Sequence, residues 1–145
     1  MGHDPKTHTS RSGATRSRRE TVERVEAYLR AHIDLPTRVS TLSRIARISE
    51  RGLRDAFYCV HGMSPKQWMV AERLKHVHSI LSGSKSASIN VTGAATRYGF
   101  YELGRFAATY KEAFGEVPSE TLRSAMRRSA ETITDRKGHA DVCTR

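Results

Sequence analysis

Two segments of this chain share one skeleton. In LRDAFYCVHGMSP, residues 53–65, Leu53, Phe57, Gly62 and Pro65 stand at offsets 0, 4, 9 and 12, and in FAATYKEAFGEVP, residues 106–118, Phe106, Tyr110, Gly115 and Pro118 repeat them. The frame therefore recurs at a period of 53 residues. Apolar residues four apart lie on one face of a helix, and a glycine followed three positions later by proline closes one helix and opens the next. A chain of 145 residues carrying such a frame twice has room for one compact domain, or for two very small ones sharing a core.

The segments around the two copies read as helices. ETVERVEAYLRAHI places Val22, Val25, Tyr28 or Leu29, and Ile33 at spacings of three to five, an amphipathic helix expected to end at Pro36. VSTLSRIARIS brings Val39, Leu42, Ile45 and Ala46 to one face, and SERGLRDAFYCV follows, with Ser49 as its N-cap and Leu53, Ala56, Phe57 and Val60 apolar. Two short helices joined by a tight turn form a helix-turn-helix candidate, with Ser43, Arg47 and Leu53 at the crossing. Arg47 is a poor residue for that turn, where glycine usually supplies a positive φ.

After Gly62, Ser64 can cap and Pro65 suits the first turn of a longer helix ended by Ser82-Gly83, with the stripe Trp68, Ala71, Leu74, Val77 and Leu81. Residues 66–81 would make a rigid rod of ~24 Å at ~1.5 Å per residue. In the second copy Asn90 caps VTGAATR, Ala94 and Ala95 permit close crossing, and Tyr98-Gly99-Phe100 makes the turn. Leu103, Phe106, Tyr110 and Ala113 then face the core. Ala95 to Phe106 is one residue longer than Ser43 to Leu53, so the second turn carries an extra residue. The expected fold is all-α, two helix-turn-helix subdomains joined by a long spacer helix.

Composition limits the function classes. No apolar run approaches the ~18 residues of a membrane span. The net charge of +10 sits mainly in the tails: residues 1–20 and 123–145 hold +6 of it, so basicity alone supports no more than a solvated basic surface. Cys59 and Cys143 are too few for a disulfide framework, and a reducing, cytoplasmic setting is the default. The seven histidines form no metal site by spacing, since His76 and His78 are two apart and point to different sides of a helix. No nucleophile motif appears, GSKSASIN lacks the Walker pattern, and neither an enzyme nor a cofactor is expected.

From about Val22 to Arg123 the chain resembles the DNA-binding domain of AraC/XylS-type transcription regulators, through SERGLRDAF, GMSPKQWM, ERL, ATRYGF and FGEVPSETLR in that order. The resemblance implies a first helix-turn-helix at about 38–62, a spacer helix at about 65–82 and a second helix-turn-helix at about 90–115, all within residues 21–123. Residues 1–20 are then a disordered polar and basic arm, and 124–145 a basic flexible tail. One monomer would enter two successive major grooves, roughly 34 Å apart, and read an asymmetric site. Double-stranded DNA is the implied partner, with RNA polymerase as a second candidate. Only some twenty polar residues precede the first helix, so no effector pocket is expected here, and the chain reads either as a stand-alone regulator or as the C-terminal piece of a larger one.

Helix periodicity and the resemblance together nominate the contacts. Opposite the buried side of the first reading helix lie Glu50, Arg51, Arg54, Asp55 and Tyr58; opposite Phe106 and Tyr110 lie Glu102, Arg105, Ala108 and Glu112. Arginine can donate twice to guanine, and a carboxylate can accept from cytosine. Arg51, Arg54, Asp55, Glu102 and Arg105 are therefore the candidate base readers. Ser49, Lys66, Arg97, Tyr101 and Lys111 are candidates for the DNA backbone, although Tyr101 could equally pack inward. Trp68, Phe57, Phe100, Phe106 and Phe114 are assigned to the core. The competing reading is a helical protein-interaction module without sequence-specific DNA binding.

Overall fold

Helix ends, more than helix interiors, set the course of this chain. The computed structural model describes residues 8–138, and all regular structure among them is helical. In order come α1 (His8–Ala31), α2 (Val39–Ala46), α3 (Glu50–His61), α4 (Pro65–Ser82), α5 (Val91–Arg97), α6 (Leu103–Phe114) and α7 (Pro118–Gly138). Two compact units divide after Glu72, within α4.

In the first unit α1 packs across α2 and α3. Val22, Val25 and Leu29 of α1, Leu42 and Ala46 of α2, and Leu53, Ala56 and Phe57 of α3 share one core with Trp68 and Met69. The Trp68 ring meets Phe57 edge-on at 6.1 Å. Leu29 completes the α1 stripe, and Tyr28, half-buried, stacks on His32 at 4.4 Å. The helix ends at Ala31, before Pro36, because the chain tightens into a turn in which His32 N–H donates to Leu29 and Leu35 N–H to His32.

α1 also begins earlier than apolar periodicity indicates. Residues 8–20, expected as a disordered arm, are helical, and residues 13–20 are exposed. Their helix is an extension of the packed half, since propagation adds a backbone hydrogen bond per residue once Val22 and Val25 anchor the nucleus. Residues 1–7 lie outside the described residues. The expected tail behaves similarly: α7 continues to Gly138, and residues 139–145, with Cys143, lie outside the described range.

In the second unit α5, α6 and α7 pack on one another, with Leu74, Val77 and Leu81 of α4 buried in the same unit. Ala94 and Ala95 are buried, as their small size at a crossing requires. Phe106 and Tyr110 form the centre, with Phe100 5.0 Å from Phe106 and Phe114 4.7 Å from Tyr110. Phe100 and Phe114 are half-buried flanks of this cluster. Leu103 and Ala113, expected on the core face, are exposed, because the core of α6 narrows to Phe106 and Tyr110.

The terminators explain the repeated frame. Gly62 and Gly115 both adopt left-handed backbone, at φ of 67° and 78°, and their N–H groups return to Tyr58 and Lys111. Pro65 and Pro118 then open α4 and α7. Gln67 accepts from the Ser64 N–H while Ser64 Oγ accepts from the Gln67 N–H, a reciprocal capping box, and Glu120 accepts from the Val117 N–H at the second copy's matching position.

The turn inside each helix-turn-helix is closed by the same six-residue motif. After α2, Arg47 N–H bonds Arg44 and Ile48 N–H bonds Ser43; after α5, Gly99 N–H bonds Thr96 and Phe100 N–H bonds Ala95. Arg47 at φ 57° thus occupies the place that Gly99 holds at φ 83°. A side chain in left-handed backbone costs roughly 1–2 kcal/mol, partly offset because glycine loses more freedom on folding. Arg47→Gly is accordingly expected to stabilise the first unit by about 0.5–1 kcal/mol, and Gly99→Ala to destabilise the second by about 1 kcal/mol. Urea unfolding monitored by circular dichroism checks both; a less stable Arg47→Gly protein would contradict the strain.

Candidate nucleic-acid interface

Each second helix of a pair is held from behind by its apolar residues and presents its opposite side to solvent. On α3, Leu53, Ala56 and Phe57 are buried, while Arg51, Arg54, Asp55 and Tyr58 are exposed, so the three expected readers of this helix lie on one outward surface. Ser49 caps the helix, its Oγ accepting from the Gly52 N–H at 3.1 Å, which leaves the hydroxyl proton for an outside acceptor. Lys66, in the first turn of α4, is exposed.

On α6 the expected residues are also exposed, in a different arrangement. Arg105 and Glu102 pair with each other at 3.5 Å across one turn, both largely in solvent. Such a pair contributes about 0–1 kcal/mol, so either partner can leave it cheaply. Arg97 and Lys111 are exposed, with the Arg97 guanidinium 5.9 Å from the Tyr98 ring centre. Tyr101, at 78% exposure, points outward rather than into the core. It is the extra residue of the longer turn, standing between Phe100, which closes α5, and Glu102, which precedes α6.

The two helices have equal length, 12 residues, and start three positions before their frame, so they align residue by residue. Glu50, Arg51, Arg54 and Asp55 correspond to Leu103, Gly104, Ala107 and Ala108. Arg105 corresponds to Gly52, at the flank of the outward side, with Gly104 and Ala108 at its centre. Helix periodicity sets Arg105 opposite the core, and the 53-residue frame, extended outward from its four fixed positions, sets it at the flank of that side.

Two polar clusters that sequence reasoning missed hold these helices. In the first unit the Glu26 carboxylate, 8% exposed within α1, accepts from His61 Nε2–H at the end of α3 and from Arg30 at 3.1 Å. The Arg30 guanidinium also lies 5.4 Å above the Trp68 ring. Glu26 sits between Val25 and Leu29 on the buried stripe, which was the available signal; its partner 35 residues away was not visible.

In the second unit Tyr110, fully buried, donates its hydroxyl proton to Thr121 Oγ1 at 3.0 Å, and Thr121 donates to Glu116 Oε1 at 2.6 Å. Both hydroxyl protons being committed, His78 must donate from Nδ1 to the Tyr110 oxygen, 2.7 Å away. The His78 ring stacks on Phe114 at 4.2 Å. Residues of α4, α6 and α7 are thereby fixed by one directed chain of hydrogen bonds.

Burial pushes the Tyr110 phenol above its ordinary value of 10.0; the bond to Thr121 opposes this and the nearby Glu116 charge adds to it. An unfolded chain releases this proton near pH 10 while the folded one keeps it, so the folded state binds more protons above that pH. The stabilisation is complete below pH 10 and is lost as pH rises toward the higher folded value. Tyr110→Phe, which leaves a buried polar group short of a partner, is expected to cost about 1–3 kcal/mol at pH 8 and to flatten the alkaline decline of stability. Denaturant unfolding of both proteins from pH 8 to 11 checks this; parallel declines would rule out Tyr110 as their source.

Among the described residues no group of His, Cys, Asp and Glu could hold a metal ion, and no helix is long and apolar enough to cross a membrane. A family described as "Helix-turn-helix domain" matches residues 42–124. A probable AraC family transcriptional regulator from Rhodopseudomonas palustris CGA009 is similar in structure, with TM-score 0.69, 40% identity, and coverage of 73% of this chain and 97% of that one. The XylDLEGF operon transcriptional activator of Pseudomonas putida is 32% identical over 108 residues, 74% of this chain and 34% of that protein. The chain thus spans about a third of that activator's length. The DNA-binding domain of AdpA, solved with a target DNA, shares the fold at TM-score 0.64 and 23% identity, covering 74% of this chain and 94% of that one.

Proposed function

We propose, because this chain belongs to the AraC-type helix-turn-helix family, that it binds double-stranded DNA sequence-specifically as a bacterial transcription regulator, with α3 and α6 as its reading helices. The observation that carries the proposal is the duplicated frame: each copy stops a 12-residue helix at a left-handed glycine and buries two of its own side chains in the core, leaving the other side of the helix in solvent. A side chain aimed outward from such a helix reaches base edges in a major groove. Two copies supply two such helices, and the reading is of two successive grooves of one duplex by one protomer.

Roles within the interface follow from chemistry. Arg51 and Arg54 are suited to guanine and Asp55 to cytosine N4. Arg105, once released from Glu102, is the donor that α6 offers, at the flank of its outward side rather than at a position matching Arg51 or Arg54. Ser49, Lys66, Arg97, Tyr101 and Lys111 are the backbone contacts of this reading, fixing register without reading sequence. The fold and family are those of transcription regulators and not of enzymes. The name of the Pseudomonas putida relative extends the proposal to activation. RNA polymerase as protein partner and the cytoplasm as the place of action complete this reading.

Selection from random duplexes followed by footprinting tests the whole. The expected outcome is protection across two turns of one duplex face by a single protomer; protection confined to ~10 base pairs would refute two-groove reading. Arg51→Ala should cost ~1–3 kcal/mol on the selected site and relax preference at one or two base pairs. Lys111→Ala should weaken all sequences about equally and lower the slope of log affinity against log salt by about one. Uniform weakening by Arg51→Ala would make it a phosphate contact instead.

A further inference from the structure

The residue-by-residue match of α3 and α6 exposes a chemical difference. Every charged group on the outward side of α3 at Glu50, Arg51, Arg54 and Asp55 is replaced on α6 by Leu103, Gly104, Ala107 and Ala108. Leu103 is 39% exposed and Tyr101, just before the helix, 78%. The apolar surface that these two side chains leave in water at the head of the helix gains by covering other apolar surface. Gly104 adds an independent point: a Cβ there would meet nothing within 4 Å, and its backbone is ordinary helix. Glycine at that place weakens the helix with no steric need inside the chain, and its use is to let an outside surface approach the backbone.

Major-groove edges offer one strongly apolar group, the C5-methyl of thymine, which is met by alanine, aliphatic or aromatic contact. Resting on the DNA-reading role of α6 given above, we infer that the two reading helices divide the chemistry of recognition. α3 reads hydrogen-bonding edges of G·C pairs, whereas Tyr101, Leu103, Gly104 and Ala108 of α6 select thymines by contact with their methyl groups. Arg105, paired with Glu102 at the flank, adds at most a single hydrogen-bonding contact to this apolar patch.

Uracil separates the methyl from everything else, because dT→dU keeps base pairing and every groove donor and acceptor. Once a preferred duplex has been selected, each thymine is replaced singly by uracil and affinity is measured, with Arg51→Ala used to mark the half-site read by α3. In the other half-site, two or more uracil replacements should each weaken binding about fourfold, as expected for the loss of one buried methyl-sized group. Replacements in the α3 half-site should change affinity less than twofold. Gly104→Arg, which the open space accommodates and which restores the residue found at Arg51, should shift preference in the α6 half-site from thymine toward guanine. A selected site insensitive to uracil in the α6 half, or sensitive only in the α3 half, overturns this inference and leaves the DNA-binding proposal standing. Failure to select any preferred duplex overturns both.

Discussion

The carbonyl groups at the end of a short helix must find donors, and the way this chain supplies them governs everything else. At Gly62 and Gly115 the backbone turns left-handed and returns an N–H to the last turn of α3 and α6. At Arg47 and Gly99 the same reversal closes α2 and α5. These four reversals fix where each outward side begins and ends, and the buried pairs Leu53 with Phe57 and Phe106 with Tyr110 set which side faces out. Burial alone sets that side but leaves each helix free to slide along its support. The stops remove the sliding, and the polar clusters at Glu26 and Tyr110 resist rotation by bonding the helix to its neighbours.

Much of this was legible in the sequence because it is local. A glycine-to-proline interval, a serine or asparagine before an apolar run and a stripe at helical spacing each declare themselves within a dozen residues; Ser49 and Asn90 do cap α3 and α5. The beginning of α1 was not legible, since residues 13–20 bury nothing and their helix is inherited from the packed half. Pairing across long separations was equally hidden: nothing near His61 names Glu26 as its acceptor, and nothing near His78 names Tyr110. Of the candidate contacts, their exposure was readable from periodicity. The pairing of Glu102 with Arg105 needed the structure, and the flank position of Arg105 needed the helix to be aligned with its counterpart.

The two polar clusters also show how like problems receive unlike solutions. Glu26 brings a carboxylate to a helix end and satisfies it with an imidazole N–H and a guanidinium, in place of water. The Tyr110 chain runs through hydroxyls, each donating one hydrogen bond to the next member toward Glu116. A chain of that kind has a direction, and its middle members cannot be exchanged for groups that only accept.

Tyr101 has a consequence for modularity. A single residue inserted between the α5 terminator and α6 means that the second helix leaves its turn from a different starting point than α3 does. A whole set of side chains moved from one head to the other would therefore sit on a helix that follows a turn of different length. The duplicated frame is a shared way of being stable, and the two heads are not interchangeable cassettes.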